Sequence, residues 1–206
     1  MKESNKKWED GNMLYVVRHG KTGWNQIKRT MGRMDVPLCK EGIEEAKKIK
    51  DYFEDKHLDL IICSPLTRAK ETAKIITESA NSEILYDGKL VERSMGSYEF
   101  RHYPDIEENN RIWDIEINSD ENQIEPMLDF KDRVFGFIDE VVEKYQDKDV
   151  LLVTHGGVTA LINCYFNDSL FEGYISSKFL KHDEVATYDI KKAKKMVFKP
   201  DNSIER

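Results

Sequence analysis

The sequence predicts an α/β fold in which helices cover both faces of a parallel sheet. Short apolar runs alternate along the chain with longer stretches whose apolar residues recur at helical spacing. The length of 206 residues suits one domain of ordinary size. We therefore expect a single domain over residues 1–206, with its ligand site at one edge of the sheet.

The predicted strands are short apolar runs bounded by polar or turn-forming residues. Four of them are expected to form the parallel sheet, and these are Met13–Val17, Leu60–Cys63, Ile84–Tyr86 and Val150–Val153. Two later runs, Val185–Ile190 and Met196–Phe198, flank a lysine-rich turn. This arrangement predicts a hairpin that closes the fold.

The predicted helices carry apolar residues on one face and charged residues on the other. They span Lys40–Phe53, Thr67–Ser79, a long segment from near Pro126 to about Tyr145, and Gly157–Phe166. Before the long helix the periodicity disappears, and acids, asparagines and scattered aromatic residues replace it. We interpret this stretch, at about residues 87–125, as an inserted flap.

The charge balance and the apolar content exclude several classes of function. The net charge of −7 argues against nucleic acid or an anionic membrane as the main partner, because both attract positive surfaces. No stretch approaches the ~20 apolar residues of a membrane span or the apolar core of a secretory signal. We expect a soluble cytoplasmic protein with free cysteines in no metal-ligand spacing. The sequence does not indicate the oligomeric state, and a homodimer is one option.

Polar clusters follow the predicted parallel strands at the points where the strands end. They are Arg18-His19-Gly20, the segment from Ser64 to Arg68, Glu92, and the segment from Thr154 to Gly157. Because the carboxyl ends of parallel strands open on the same edge of a sheet, these clusters can meet in one cleft.

Two histidines, two arginines and one carboxylate at a single edge suit phosphoryl transfer. An imidazole nitrogen can attack phosphorus, which divides one hard displacement into two easier ones. Arginine forks hold phosphate oxygens, and an acid such as Glu92 can protonate the leaving oxygen and later accept a proton from water. His155 and the helix start that follows it can hold anionic oxygens. This scheme requires no metal or other cofactor.

Each of these residues alone has an ordinary structural explanation. A lone histidine beside a strand is usually a structural side chain, and a lone arginine or glutamate is usually a surface charge. The joint pattern of all five residues favours a site.

Four sequence blocks resemble those of the histidine phosphatases, also called the phosphoglycerate mutase-like family. The blocks read LYVVRHGKTGWN, GRMDVPLCKEG, SPLTRAKETA and VTHGGV, and they fall within about residues 13–166. The resemblance implies a three-layer α/β/α sandwich with a mostly parallel central sheet. It also implies a small phosphorylated metabolite as the partner and no metal cofactor.

The resemblance implies a role for each of five catalytic residues. His19 corresponds to the phosphorylated nucleophile, and Arg18 and Arg68 to the residues that grip the phosphate. His155 corresponds to a residue that binds the phosphate and supports the transition state. Glu92 matches the proton donor of the family.

Two further positions match phosphate-binding residues of the family. Asn25 matches a residue that helps to bind phosphate, and Gly156 is expected to add a backbone contact. One segment departs from the family pattern, which usually carries an Asn before the late strand. This chain reads Lys181-His182-Asp183 there.

Three functions stay open at this point. The short chain and the HGG at residues 155–157, where mutases read HGN, favour a metal-independent phosphoric monoester hydrolase of the histidine acid phosphatase type that acts through phosphohistidine. The ERSM at residues 92–95 partly matches a mutase motif, which keeps a bisphosphoglycerate-dependent phosphoglycerate mutase as the alternative. A non-catalytic phospholigand-binding protein is the third.

Overall fold

A five-stranded sheet forms the centre of the protein. β1 (Met13–Arg18), β2 (Leu60–Cys63), β3 (Ile84–Tyr86) and β4 (Val150–Thr154) run parallel, while β5 (Val185–Asp189) runs antiparallel beside β1. The order across the sheet is β3-β2-β4-β1-β5. The computed structural model describes residues 13–78, 82–103, 111–113, 121–167, 175–193, 197–198 and 204–205.

Helices follow the strands, and the periodicity predicts all of the five below except the first, which has 4 residues. They are α1 (Gly23–Gln26), α2 (Lys40–Phe53), α3 (Thr67–Ile76), α4 (Met127–Lys144) and α5 (Gly156–Asn167). The long helix begins directly after Pro126, whose fixed backbone suits a helix start. The bounds of α2 agree with the prediction of a helix over about residues 40–53.

Side chains along the strands alternate between two apolar cores. Leu14 and Val16 of β1 pack in one core with residues of α4 and α5. Tyr15 and Val17 pack in a second core with residues of α2 and α3. Because successive side chains of a strand point to opposite faces, a strand covered on both faces must be apolar throughout, and β4 is buried at every position. The predicted three-layer sandwich with a mostly parallel sheet is confirmed.

The register of β1 and β4 brings the ends of these two central strands together. Arg18 lies opposite Thr154 in the parallel ladder. The backbone N–H of His19 donates to the carbonyl of Thr154 at 2.8 Å. The residues that follow the two strands, His19 and His155, therefore leave the sheet side by side.

The predicted closing hairpin is wrong. β5 pairs with β1 over five positions, whereas β6 (Val197–Phe198) pairs with β7 (Ile204–Glu205). β1 is a buried strand, so its backbone groups on the side away from β4 need partners, and β5 supplies them over five positions. β5 has a second edge, but β6 pairs with β7. Nearness in sequence is only a prior for strand pairing. Met196 lies outside the described residues.

Smaller differences concern the ends of elements and the flap. α3 ends at Ile76, and Ser79 lies outside the described residues; α5 begins at Gly156, one residue earlier than predicted. The described parts of the flap contain short 3₁₀ turns, among them Gly88–Leu90 and Gly96–Tyr98.

The assignment of residues 1–206 to one domain stays a prediction. In the part of the chain that the structure describes, no helix is long and apolar enough to cross a membrane.

Replacing Leu152 with alanine should lower the free energy of unfolding by about 2–5 kcal/mol, because the side chain is fully buried in β4 and its removal leaves a cavity. Leu85→Ala in the edge strand β3 is the matched control, since Leu85 is 40% exposed. It should cost less than about 1 kcal/mol. Urea unfolding of both variants measures the difference, and equal losses would contradict the central position of β4.

Candidate active site

A cleft lies where the parallel strands end, and the predicted residues Arg18, His19, Arg68 and Glu92 line it. His155 lies directly beside it, because its ring centroid is 5.1 Å from that of His19. The remaining lining residues come from the flap and from loops, and they are Thr30, Met31, Gly32, Met95, Tyr103, Ile112, Trp113 and Phe179. The structure thus brings five of the seven predicted site residues together around one cleft.

His19 is held with one ring nitrogen free for chemistry. Its side chain is buried, and Nδ1 lies 2.8 Å from the carbonyl oxygen of Gly20. A carbonyl only accepts, so Nδ1 carries the proton and Nε2 carries the lone pair. Burial, with the nearby charge of Arg68, holds the pKa of His19 well below its ordinary value. The imidazole is therefore neutral and able to act as a nucleophile at physiological pH.

His155 is fully buried beside His19. The Nε2 atom lies 2.7 Å from the hydroxyl of Ser64, the residue that follows β2. Nδ1 is buried and has no hydrogen-bond partner. Burial, together with the charges of Arg68 and Arg18, holds the pKa of His155 well below its ordinary value. When the Ser64 hydroxyl donates to Nε2, Nδ1 carries the proton and can donate it to an anion.

Two guanidinium groups, the buried one of Arg68 and the partly buried one of Arg18, supply positive charge to the cleft. Arg68 donates from Nη1 and Nη2 to the carbonyls of Met34 (2.7 Å) and Gly32 (2.9 Å). Arg18 donates from Nη1 to the carbonyl of Leu180 at 3.2 Å. Burial lowers the pKa of Arg18, and it lowers the pKa of Arg68 to about 10. A guanidinium group in a protein stays protonated at working pH.

Three polar atoms of these side chains are buried without a partner. They are Nε of Arg18, Nε of Arg68 and Nδ1 of His155, and among the described residues they are the only such side-chain atoms. Buried donors without partners are rare and costly. The two guanidinium nitrogens are donors, and Nδ1 of His155 is a donor when Ser64 donates to Nε2. Donors of these kinds bind phosphate oxygens.

Glu92 is fixed by two backbone donors. Its Oε1 accepts from the N–H of Arg93 (3.0 Å) and its Oε2 from the N–H of Gly157 at the start of α5 (3.1 Å). A Cβ atom at position 157 would lie 2.5 Å from Oε1 of Glu92. Gly157 is therefore needed for Glu92 to lie in this position.

The other two predicted residues have different settings. Asn25 does not line the cleft, and its side-chain oxygen accepts from the backbone N–H of Thr22 (3.0 Å) in a capping box at the start of α1. Gly156 packs against Arg18, since a Cβ there would lie 3.1 Å from the guanidinium carbon and 3.0 Å from the Phe179 ring. Gly156 thus leaves room for the arginine.

Sequence reasoning missed several residues around the cleft. Phe179 lines it, and Arg18 lies 5.6 Å from the centroid of its ring. His182 lies beside His19, with ring centroids 5.4 Å apart. Ser64 could have been assigned to His155, because it directly follows a parallel strand. Nothing in the local pattern marks Phe179.

In the described ranges, no three His, Cys, Asp or Glu side chains are grouped to hold a metal ion.

A model of the histidine phosphatase superfamily (branch 1) matches residues 14–191. The chain belongs to this superfamily. The histidine phosphatases that resemble it include the protein named probable phosphoglycerate mutase GpmB of Escherichia coli O139:H28. That protein is 32% identical over 148 residues, which are 69% of this chain and 69% of the relative.

Solved histidine phosphatase structures share the fold. Bacillus stearothermophilus YhfR has a TM-score of 0.74 and 23% identity, and the match covers 94% of each chain. The alpha-ribazole phosphatase of Shigella flexneri has a TM-score of 0.69 and 23% identity, with 91% of each chain covered. A mycobacterial glucosyl-3-phosphoglycerate phosphatase has a TM-score of 0.72 and 22% identity over 85% of this chain and 92% of that one. The sequence relative thus carries a mutase name, whereas two of these three solved structures carry phosphatase names.

The stability of this histidine phosphatase should fall as the pH drops below about 6.5. His19 and His155 have a pKa well below the ordinary value, and burial, with the charge of Arg18, lowers the pKa of His182 to about 4. Below about pH 6.5, these histidines bind protons in the unfolded chain but not in the folded chain. The stabilisation is complete above the unfolded pKa and is lost as the pH falls, by about 1.4 kcal/mol per pH unit for each histidine.

Urea unfolding at about pH 7, 6 and 5 measures this loss. His19→Ala removes one buried imidazole and should flatten the pH dependence. The control is His57→Ala, because the His57 side chain is 81% exposed, and it should follow the unmodified protein. Identical pH dependence in all three proteins would show that the buried imidazoles do not control acid stability.

Proposed function

We propose that this protein is a metal-independent phosphomonoesterase that hydrolyses a small phosphorylated metabolite through a phosphohistidine at His19. The observation that carries the proposal is the free Nε2 of His19 in a cleft where Arg18, Arg68 and His155 each hold a buried polar atom without a partner. These donors suit the oxygens of one phosphate group, and the nucleophile lies among them.

The first step transfers the phosphoryl group to the enzyme. Nε2 of His19 attacks phosphorus, the N–P bond forms and the P–O bond to the leaving alcohol breaks. Glu92 in its acid form gives a proton to the leaving oxygen. Since His19 starts neutral, it does not have to lose a proton before it attacks.

The second step regenerates the enzyme. Glu92, now a carboxylate, takes a proton from water while the water oxygen attacks phosphorus. The N–P bond breaks, inorganic phosphate leaves, and Glu92 and His19 return to their first states. Arg18 and Arg68 face the charge of the equatorial oxygens in both steps, and His155 donates from Nδ1.

Two observations favour hydrolysis over the mutase alternative. A mutase must retain a bisphosphate intermediate, which needs cations for a second anionic group. Among the described residues that line the cleft, Arg18 and Arg68 are the only arginines or lysines. In addition, this chain has Gly157 where the mutases carry Asn.

The third alternative, a non-catalytic phospholigand-binding protein, is disfavoured by the complete set of residues. Such proteins typically lack the nucleophile, whereas His19 is present and oriented by Gly20. Tight binding of phosphate without turnover of any ester would revive this alternative. The cytoplasmic location and the homodimer stay predictions.

The purified protein should hydrolyse p-nitrophenyl phosphate in the presence of EDTA and form an acid-labile phosphoenzyme. His19→Ala removes the nucleophile and should lower kcat by at least about 10³-fold. The absorbance of p-nitrophenolate and acid-quench labelling measure the two effects. His57→Ala is the matched control, since its exposed side chain lies outside the cleft, and its kcat should not change.

Two results would contradict this function. Activity that depends strictly on added metal would exclude the metal-independent scheme. Conversion of 3-phosphoglycerate that needs a bisphosphate primer and exceeds hydrolysis would identify a mutase.

Glu92→Gln should affect substrates according to their leaving groups. An alkyl phosphate needs a proton on its leaving oxygen, so its kcat/KM should fall by about 10²- to 10⁴-fold. p-Nitrophenolate leaves without a proton, so kcat/KM for its ester should fall less than about tenfold. Comparing glycerol phosphate with p-nitrophenyl phosphate measures the contrast, and an equal loss for both esters would exclude Glu92 as the acid.

A further inference from the structure

The segment Leu180–His182 contacts Arg18 and His19. It lies outside the four sequence blocks that resemble the family. The carbonyl of Leu180 accepts from Arg18 at 3.2 Å, and its N–H donates to the hydroxyl of Thr159 on α5 at 3.1 Å. His182 Nδ1 lies 2.6 Å from the carbonyl oxygen of His19. A carbonyl only accepts, so Nδ1 of His182 carries the proton and donates.

The hydrogen bond from His182 is one of four that hold the turn at Gly20. The peptide between His19 and Gly20 is held at both ends, since its carbonyl accepts from His182 and its N–H donates to Thr72 Oγ1 at 3.0 Å. The next peptide joins Gly20 to Lys21. Its carbonyl accepts from Nδ1 of His19, and its N–H donates to a carboxylate oxygen of α2 at 2.8 Å. Both peptides are thus fixed by side chains.

These two adjacent peptides together decide where the nucleophile lies, because the second carries the carbonyl that orients the ring and the first joins it to His19. The ring of His19 is oriented by the carbonyl of Gly20, so a rotation of either peptide would move Nε2 away from its line of attack. A displacement of the order of 1 Å at a reacting atom can cost about 10²-fold in rate.

We propose that His182 is a positioning residue that fixes the His19–Gly20 peptide, and through it the line of attack of the nucleophile. This inference rests on the proposed function of His19. His182 does not touch the reacting atoms in this scheme. His182 holds the carbonyl of the His19–Gly20 peptide, and Thr72 holds the N–H of the same peptide.

The protonation state of His182 does not affect the contact. Burial, with the charge of Arg18, lowers the pKa of His182 to about 4, so the ring is neutral near pH 7. The Nδ1 proton is present in both the neutral and the charged ring, so the donor is available at any working pH.

Three variants at position 182 separate a donor from size and charge. His182→Asn keeps an N–H donor near the Nδ1 position, His182→Asp matches Asn in size but only accepts, and His182→Ala removes the group. We expect Ala and Asp to lower kcat for p-nitrophenyl phosphate by about 10- to 100-fold with KM within about threefold. Asn should restore most of the kcat lost in Ala.

The opposite end of the same peptide provides a second test that does not depend on these variants folding. Thr72→Ser keeps the hydroxyl that accepts from Gly20, and the isosteric Thr72→Val removes it. Thr72→Val should lower kcat without raising KM, whereas Thr72→Ser should leave kcat unchanged. His57→Ala, at an exposed histidine, is the control with unchanged activity.

The outcomes distinguish the two proposals. A protein that forms no acid-labile phosphoenzyme before any substitution contradicts the proposed function. If the phosphoenzyme forms but the His182→Ala variant has the same kcat as the unmodified protein, the positioning role is wrong. It is also wrong if Asp alone loses activity, because charge repulsion then explains the effect, or if KM rises while kcat is unchanged.

Discussion

The hydrogen bond from Nδ1 of His19 to the carbonyl of Gly20 is the interaction on which the described site depends. It fixes the tautomer and the direction of the ring at once, and it requires the chain to fold back closely at Gly20. A Cβ at Gly20 would lie 2.3 Å from the carbonyl of Gly42, and a Cβ at Gly42 would lie 2.0 Å from the carbonyl of Lys21. Two facing glycines therefore let the start of α2 press against the turn, and larger residues at either position would move the nucleophile.

The second constraint is that positive charge is buried next to imidazoles. Arg18 and Arg68 are partly satisfied by backbone carbonyls, and each keeps one donor without a partner. The same two charges, added to burial, oppose protonation of His19 and His155 and so hold their pKa values low. One electrostatic arrangement therefore has two effects: it keeps the His19 ring neutral, and it favours an anion in the cleft, as the proposed function requires.

Much of this arrangement was predictable because the signals are local. Apolar runs and helical periodicity predicted β1 to β4 and the four longer helices, and the rule that parallel strands end at one edge brought His19, His155 and Arg68 together. The pairing of β5 with β1 was not predictable, since a ladder between distant segments leaves no periodic trace. The same holds for His182, which is 163 residues from its partner His19. Asn25 was expected at the phosphate because of its place in a motif, but a local capping box holds its side-chain oxygen.

Membership of the superfamily does not decide the reaction, because a mutase and a phosphatase share the nucleophile, the arginines and the acid. They differ in whether the dephosphorylated product stays bound long enough to take the phosphoryl group back. Retention needs attraction beyond the transferred phosphate. In the described part of this cleft the groups beyond the two arginines are mainly apolar or aromatic, such as Met95, Ile112 and Trp113. These side chains carry no positive charge for a second anion, which agrees with the proposed hydrolysis, in which the alcohol product leaves before water attacks.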